Sequence, residues 1–283
     1  MTVAALQKKY LPLLAPEDFF LLVAHATKKE KVFLLAHPDY ELAVEALEQA
    51  EELLKRRIEH EPVAYIVGHK EFYGRQFLVT PHTLIPRPET ELLVEAVLKV
   101  VSKQKETIAI LDIGTGSGNI IITLAGELSQ KKISFSALDI SKEALTTAKQ
   151  NAARNNVEER INFIESDLLE NFSSHQINNR HLIITANLPY LSYEIYNASE
   201  SDVRDYEPKT ALVSERAGLD HYLRLLPQLR TLSQRALSTT FFFEISPEQD
   251  QEITREIEKI FPTATLTTIK DLSGRDRLIQ ASI

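Results

Sequence analysis

Three of the eight glycines in this chain fall in one short run, Leu111-Asp112-Ile113-Gly114-Thr115-Gly116-Ser117-Gly118-Asn119. The run follows a continuous apolar stretch and opens a helical pattern, the context in which backbone must come close to a ligand. Asp139 ends the next apolar stretch, where a carboxylate can accept hydrogen bonds from two vicinal ribose hydroxyls. The spacing is Gly-x-Gly-x-Gly, not the Gly-x-Gly-x-x-Gly of dinucleotide binders. No Lys-Ser or Lys-Thr pair follows, as a phosphate-cradling loop requires. A ribose-bearing ligand without phosphate fits best, and S-adenosylmethionine is the common one. A tight strand-to-helix turn with no ligand explains the glycines but leaves Asp139 unexplained.

A second run, Ile183-Ile184-Thr185-Ala186-Asn187-Leu188-Pro189-Tyr190, ends another apolar stretch. Its chemistry suits methylation of a planar nitrogen. An amide or aryl NH2 is a poor nucleophile because its lone pair is delocalised. The Asn187 carbonyl and the backbone carbonyl that follows it can accept its two N–H bonds and hold the nitrogen toward an electrophilic methyl. Pro189 biases Leu188 toward extended backbone, which can aim that carbonyl outward. Tyr190 offers a flat apolar face to the substrate group. Read without the glycine loop, the same four residues are simply a strand ending in a proline turn. Asp167, with Leu168 beside it, closes a further strand and can accept from an adenine amino group, unless it merely caps its loop. Asp112 reads as a residue that orders the glycine loop.

In an open parallel sheet, ligands sit outside the carboxyl ends of the strands, so these runs require strands ending on one crevice. From Pro88 onward the pattern alternates accordingly. Strands are expected at Thr107–Ile113, Ile133–Asp139, Ile161–Glu165, His181–Ala186, Thr239–Ile245, Ala264–Ile269 and Arg277–Ser282. Helices are expected from Glu89 to about Lys103, from Asn119 to about Leu128, after a Ser141 cap, and over Leu219–Leu237 and Pro247–Ile260. The last two strands are too close in sequence for a crossover helix and should pair antiparallel. The fold class is α/β, a mostly parallel sheet covered on both faces. Residues 1–68 read as a separate helical domain, with Leu47, Ala50, Leu54 and Ile58 on one face of one helix. Residues 69–86 form a linker containing a hairpin around Gly74, and residues 87–283 form the ligand-binding domain.

The 283 residues are 43% hydrophobic and 25% charged, ordinary for a globular protein. The net charge is −8, and the chain is acidic on both sides of residue 85. Composition therefore offers no support for nucleic-acid binding, and no direct nucleic-acid partner is expected. The absence of cysteine excludes disulfides, thiolate metal sites and a cysteine nucleophile. The histidines are scattered without metal-ligand spacing, so no metal is expected. Phe19 to Ala26 superficially resembles the apolar part of an export signal, but Glu17 and Asp18 precede it where positive charge is needed. No apolar run is long enough to span a bilayer. The expectation is a cytoplasmic monomer with no membrane partner.

The sequence resembles the protein-(glutamine-N5) methyltransferases that modify peptide chain release factors. The resemblance runs through Glu61-Pro62-Val63-Ala64-Tyr65-Ile66-Val67-Gly68 and Phe72-Tyr73-Gly74. It continues in Leu84-Ile85-Pro86-Arg87-Pro88-Glu89-Thr90-Glu91, the glycine loop and Asp205-Tyr206-Glu207-Pro208. Gly218-Leu219-Asp220 and Asp271-Leu272-Ser273-Gly274-Arg275-Asp276-Arg277 complete it. The Ile-Pro-Arg-Pro-Glu-Thr-Glu run is the most specific part. The resemblance implies a seven-stranded, Rossmann-like S-adenosylmethionine-dependent methyltransferase domain behind a helical substrate-recognition domain. The implied substrate is the glutamine of the Gly-Gly-Gln loop in class I release factors, with S-adenosylhomocysteine as product. By position, Gly114, Thr115, Gly116, Ser117, Gly118, Asp139, Asp167, Leu168 and Asn187 would bind the cofactor. Asn187, Leu188, Pro189 and Tyr190 would hold the glutamine amide and form the catalytic loop. Arg87, Glu89 and Glu91 would shape the substrate entrance or, equally, begin a salt-bridged helix. Leu188 departs from the family, which usually has Pro there, and Ser246 stands where Gly is usual. Asn-Leu-Pro-Tyr also resembles the site of ribosomal RNA adenine-N6 methyltransferases, so that activity is the alternative.

Overall fold

The computed structural model describes residues 1–104, 106–129 and 132–283, which fall into two compact units. The first comprises Met1–His69 and a returning segment, Glu200–Tyr206; the second comprises Lys70–Ser199 and Glu207–Ile283.

In the first unit the helices are α1 (Val3–Tyr10), α2 (Pro16–Thr27), α3 (Lys31–Ala36), α4 (Val44–Ile58) and α5 (Val63–Val67). The Thr2 hydroxyl caps α1, accepting from Ala5 N at 3.2 Å. Pro16 opens α2 where its missing N–H costs nothing, and Glu17 and Asp18 suit the positive end of the helix dipole. The apolar run of α2 is core: Phe19, Leu22 and Val23 are fully buried. Each side chain of that size contributes roughly 1.5–3 kcal/mol by leaving water. On α4, Ala50, Leu53 and Leu54 are buried while Leu47 and Ile58 pack at the margin. Arg57 Nε bonds Asp18 Oδ2 at 2.7 Å, tying α4 to α2. The returning segment is held to this unit by the Tyr206 hydroxyl, which donates to Glu59 O at 2.7 Å.

A hairpin follows, β1 (His69–Phe72) and β2 (Arg75–Leu78). Tyr73 and Gly74 both have positive φ, +51° and +67°, as a two-residue turn between twisted strands demands. The second unit then runs α6 (Glu91–Ser102), β3 (Ile108–Ile113), α7 (Asn119–Glu127), β4 (Ile133–Asp139), α8 (Lys142–Arg154), β5 (Ile161–Glu165) and β6 (His181–Ala186). After it come α9 (Tyr193–Ala198), the returning helix α10 (Ser201–Tyr206), a single turn α11 (Glu215–Gly218) and α12 (Asp220–Ser233). The chain ends with β7 (Ser238–Glu244), α13 (Asp250–Ile260), β8 (Thr265–Lys270) and β9 (Asp276–Ser282).

The seven-stranded sheet has the order β5-β4-β3-β6-β7-β9-β8. The first five strands are parallel; β9 runs antiparallel to both β7 and β8, as their short connection requires. All six residues of β3 are buried, because helices cover both faces of the sheet. On β7, Phe241 and Phe243 pack with α12 and α13, while Phe242 packs with α6 and α7. The order reverses between β3, whose chain continues to β4, and β6 on its other side, so a crevice opens at their carboxyl ends.

The expected strands are found within a residue of their ends, but the helices differ. Pro88–Thr90 and Pro247–Gln249 are 3-10 turns that precede α6 and α13. The helix expected to reach Leu237 stops at Ser233, because the Leu237 amide donates to Arg180 O at 2.9 Å in line with the sheet. The six-residue helices α9 and α10 carry too few apolar repeats to be read from sequence.

Candidate active site

The glycine loop joins β3 to α7, and its three glycines have φ of +70°, +55° and +80°. They serve different ends. A Cβ on Gly114 would lie 2.8 Å from Leu188 Cδ2, so this glycine lets the two site loops touch. A Cβ on Gly118 would lie 2.6 Å from Ile122 Cδ1 and 3.2 Å from the Ala148 Cβ, so this glycine lets α7 pack on α8. Gly116 meets nothing within 4 Å and borders open space. Beneath the loop, buried Asp112 accepts from the Thr115 and Thr185 hydroxyls, each at 2.7 Å. Burial pushes its carboxyl up to about 6, against those two hydrogen bonds. Asn151, buried on α8, donates to Ser117 O at 2.8 Å and Leu78 O at 3.0 Å, tying the loop to the hairpin.

Asp139 ends β4 opposite the loop. Its Oδ2 accepts from Gly116 N at 2.8 Å and its Oδ1 from Ser141 N at 2.9 Å. The carboxylate borders the open cleft. Burial raises its carboxyl, while backbone donors at Ser141, Gly116 and Ile140 pull the other way. Asp167 forms an ion pair with Arg224 of α12, and Leu168 beside it is buried at a left-handed φ of +51°.

The Asn187-Leu188-Pro189-Tyr190 loop leaves the end of β6. Asn187 Nδ2 donates to Thr90 Oγ1 at 3.2 Å, and Asn187 borders the cleft. Leu188 is buried, and its N–H, which a proline would lack, donates to the Tyr222 hydroxyl at 3.3 Å. That hydroxyl in turn donates to the Glu244 carbonyl. Tyr190 O accepts from Gln249 Nε2 at 2.9 Å, while its ring packs on the core. Burial and the nearby Glu244 raise the Tyr190 hydroxyl, so it stays protonated at neutral pH.

One cleft gathers most of these groups, with about 1060 Å³ of empty space opening to solvent. Gly114, Thr115, Gly116, Ser117, Asp139, Asp167, Leu168, Asn187, Leu188, Pro189 and Arg87 line it. Gly118, Tyr190 and Glu89 are not among the lining residues. Arg87 pairs with buried Glu207, whose other oxygen accepts from Ile85 N at 3.1 Å. Glu91 accepts from Tyr73 N at 2.7 Å, fastening the start of α6 to the hairpin turn. Thr90, His221 and Arg224 line the cleft without having been singled out from sequence. His221 Nδ1 lies 2.8 Å from the Ser214 hydroxyl, and burial with Arg224 nearby lowers its pKa. A polar face on α12 just after Gly218-Leu219-Asp220 was the available signal for both of the last two. Among the described residues no group of three His, Asp or Glu side chains could hold a metal, and no helix is long and apolar enough to cross a membrane.

Residues 3–68 match the model of the PrmC N-terminal domain, and residues 104–203 match a methyltransferase domain. A release factor glutamine methyltransferase from Bacillus cereus is 33% identical over 93% of this chain and 91% of its own. One from Enterococcus faecalis is 36% identical over 88% and 86%, respectively. Among solved structures, the hMettl16 catalytic domain in complex with the MAT2A 3'UTR hairpin 1 superposes with a TM-score of 0.58. It is 18% identical over 81% of this chain and 80% of that one, a likeness of fold alone.

Proposed function

The chain belongs to the release factor glutamine methyltransferase family, and from that membership we propose its reaction in full. A methyl group passes from S-adenosylmethionine to the side-chain amide nitrogen (N5) of a glutamine. That glutamine is the one in the Gly-Gly-Gln motif of class I peptide chain release factors, so the reaction modulates translation termination. The observation that carries this reading is the common cleft: Asn187, with its NH2 held by Thr90, borders the same space as Gly116 and Asp139.

The residues present fit the cofactor. Gly116 leaves open space where any side chain would intrude, and the Asp139 carboxylate borders the same cleft as an acceptor for a ribose hydroxyl. No lysine stands in the loop to ask for a phosphate. Gly114 to Ser117, Asp139, Asp167 and Leu168 would hold it, with Asp167 sharing its carboxylate between Arg224 and the adenine amino group. When bound, S-adenosylmethionine supplies an electrophilic methyl on a sulfonium.

Asn187 Oδ1 and the Leu188 carbonyl accept the two N–H bonds of the glutamine amide and hold its nitrogen in line with the methyl. Transfer would form the N–C bond as the donor's C–S bond breaks, giving S-adenosylhomocysteine. Positive charge then grows on the nitrogen, where both carbonyls stabilise it. The methylated nitrogen is acidic and loses its proton to water, so no separate base is needed. Pro189 and Tyr190 shape the loop from behind, and Arg87 and Glu89 shape the entrance. The helical unit supplies substrate recognition, which the chemistry itself does not need. The enzyme works as a cytoplasmic monomer without nucleic acid or membrane. The RNA-adenine alternative loses its footing with a net charge of −8 and relatives that match across nearly the whole chain.

The test is transfer from labelled S-adenosylmethionine to purified release factor, with ribosomal RNA in a parallel tube. Label should enter the release factor and vanish when the Gly-Gly-Gln glutamine is changed to alanine. Label on RNA alone would overturn the reading.

A further inference from the structure

An asparagine amide fits its pocket almost equally well after a half-turn about its last torsion, which exchanges C=O for NH2. At Asn187 the difference decides the chemistry. With Oδ1 toward the cleft it accepts from a substrate NH2; reversed, two NH2 groups oppose each other. Thr90 is the neighbour that senses which way round the amide stands, since its Oγ1 lies 3.2 Å from Asn187 Nδ2. A hydroxyl alone does not choose, because it can either donate or accept.

The choice is made one step further back. Ala186 of β6 pairs with Phe243 of β7, so the next residues, Asn187 and Glu244, stand side by side at the carboxyl end of the sheet. Thr90 is 2% exposed and hydrogen-bonded to the Glu244 carboxyl, itself in a residue 1% exposed. An ionised carboxylate only accepts, so it takes the single Thr90 proton and leaves Oγ1 with lone pairs alone. Oγ1 must then accept from the Asn187 NH2.

We propose that Thr90, anchored by the Glu244 carboxylate, is a positioning residue that fixes the Asn187 amide with its carbonyl toward the cleft. The proposal rests on the reading of Asn187 as the acceptor of the substrate amide. It also gives the Ile-Pro-Arg-Pro-Glu-Thr-Glu run a part in the reaction. Several charged or titratable groups face Glu244: Arg277 on β9, Arg87 and Glu89 ahead of α6, Tyr190 after β6 and Tyr222 on α12. Burial dominates among these influences and holds the carboxyl up to about 7, and its Oε2 is buried with no partner. Protonation there frees the Thr90 proton and loosens the direction of the chain.

Two variants of the full-length enzyme separate this role from simple packing. Thr90→Val keeps the shape and removes the hydroxyl; Thr90→Ser restores it. The side-chain amide resonances of Asn187, assigned by their loss in Asn187→Ala, should move in Thr90→Val and return in Thr90→Ser. The kcat for methyl transfer should fall about 100-fold in Thr90→Val, as a misoriented reacting group implies, and recover in Thr90→Ser. S-adenosylhomocysteine affinity by calorimetry should stay unchanged in both. Unmoved Asn187 resonances in a folded Thr90→Val protein would overturn the proposal. If Thr90→Val does not fold, Glu244→Gln decides. The wild-type Asn187 resonances should titrate near neutral pH and those of Glu244→Gln should not; equal titration would also overturn it. A wild-type enzyme that transfers nothing to release factor would sink the proposed function, while the resonances would still decide this inference.

Discussion

Leu188 occupies the position where the family usually has proline, and its N–H finds the Tyr222 hydroxyl. Leu188→Pro should cost about 0.5–1.5 kcal/mol for that hydrogen bond, plus part of the contact with the glycine loop. Pro189 already biases position 188 toward extended backbone, which proline also favours, so methyl transfer should persist while the denaturation midpoint falls slightly. Loss of turnover with an unchanged midpoint would mean that the loop is built around leucine. Asn187→Ala and Asp139→Ala should divide in another way. The first should abolish turnover and spare S-adenosylhomocysteine affinity; the second should weaken that affinity, as Asp139 also holds Gly116 N. Equal loss of affinity in both would contradict the division. At this scale the glycine loop, Asp139 and the Asn187 loop were legible because each is a local pattern of residue types. Their partners were not: Thr90 lies 97 residues from Asn187, and only the packed sheet brings the two together.

The elements carry the same division between local and distant causes. Strand β3 was legible because six consecutive buried residues leave no other reading, and α8 because Ser141 caps it, accepting from Ala144 N at 3.1 Å. The stretch from α9 to α11 was opaque, since its conformation answers to neighbours rather than to periodicity. There Arg216 and Ala217 stand consecutively at left-handed φ of +52° and +56°, and Gly218 follows at +89°. A Cβ on Gly218 would lie 2.0 Å from Tyr190 O and 2.5 Å from Gln249 Nε2. Gly218→Ala therefore adds a backbone clash to the roughly 1–2 kcal/mol that a left-handed position costs a side chain. It should displace the Asn187-to-Tyr190 loop, lowering kcat and thermal stability together. Gly74→Ala is the control, since its φ of +67° carries the conformational cost but a Cβ meets nothing within 4 Å. If the two variants lose equal stability and Gly218→Ala keeps full turnover, the loop does not lean on that glycine.

For the whole molecule, the groups that order the site are also those that titrate against stability. Burial holds Asp112 at about 6 against an ordinary 3.8, and Glu244 at about 7 against 4.5. Both folded values lie above the unfolded ones, so the unfolded chain releases these protons first. The stability they contribute is full below about pH 4 and is lost as pH rises through 6 to 7. Acids such as Asp271, whose carboxyl accepts backbone donors from Arg275 and Ser273 and is thereby lowered, act with opposite sign at lower pH. Between pH 5 and 8, His25 and His221, both lowered by burial, pull stability upward as pH rises. Their shifts are smaller than those of the two carboxyls, so the melting temperature should fall over that interval. Turnover should rise over the same interval, because the Glu244 anion is the form that commits the Thr90 proton and aligns Asn187. Glu244→Gln should flatten both trends, leaving a shallower melting curve against pH and a rate without the neutral limb. A wild type and Glu244→Gln with parallel pH profiles, in melting and in rate alike, would show that this carboxyl does not titrate in the working range. A buried acid at the end of β7 is then the point where the enzyme gives up stability to hold one amide the right way round.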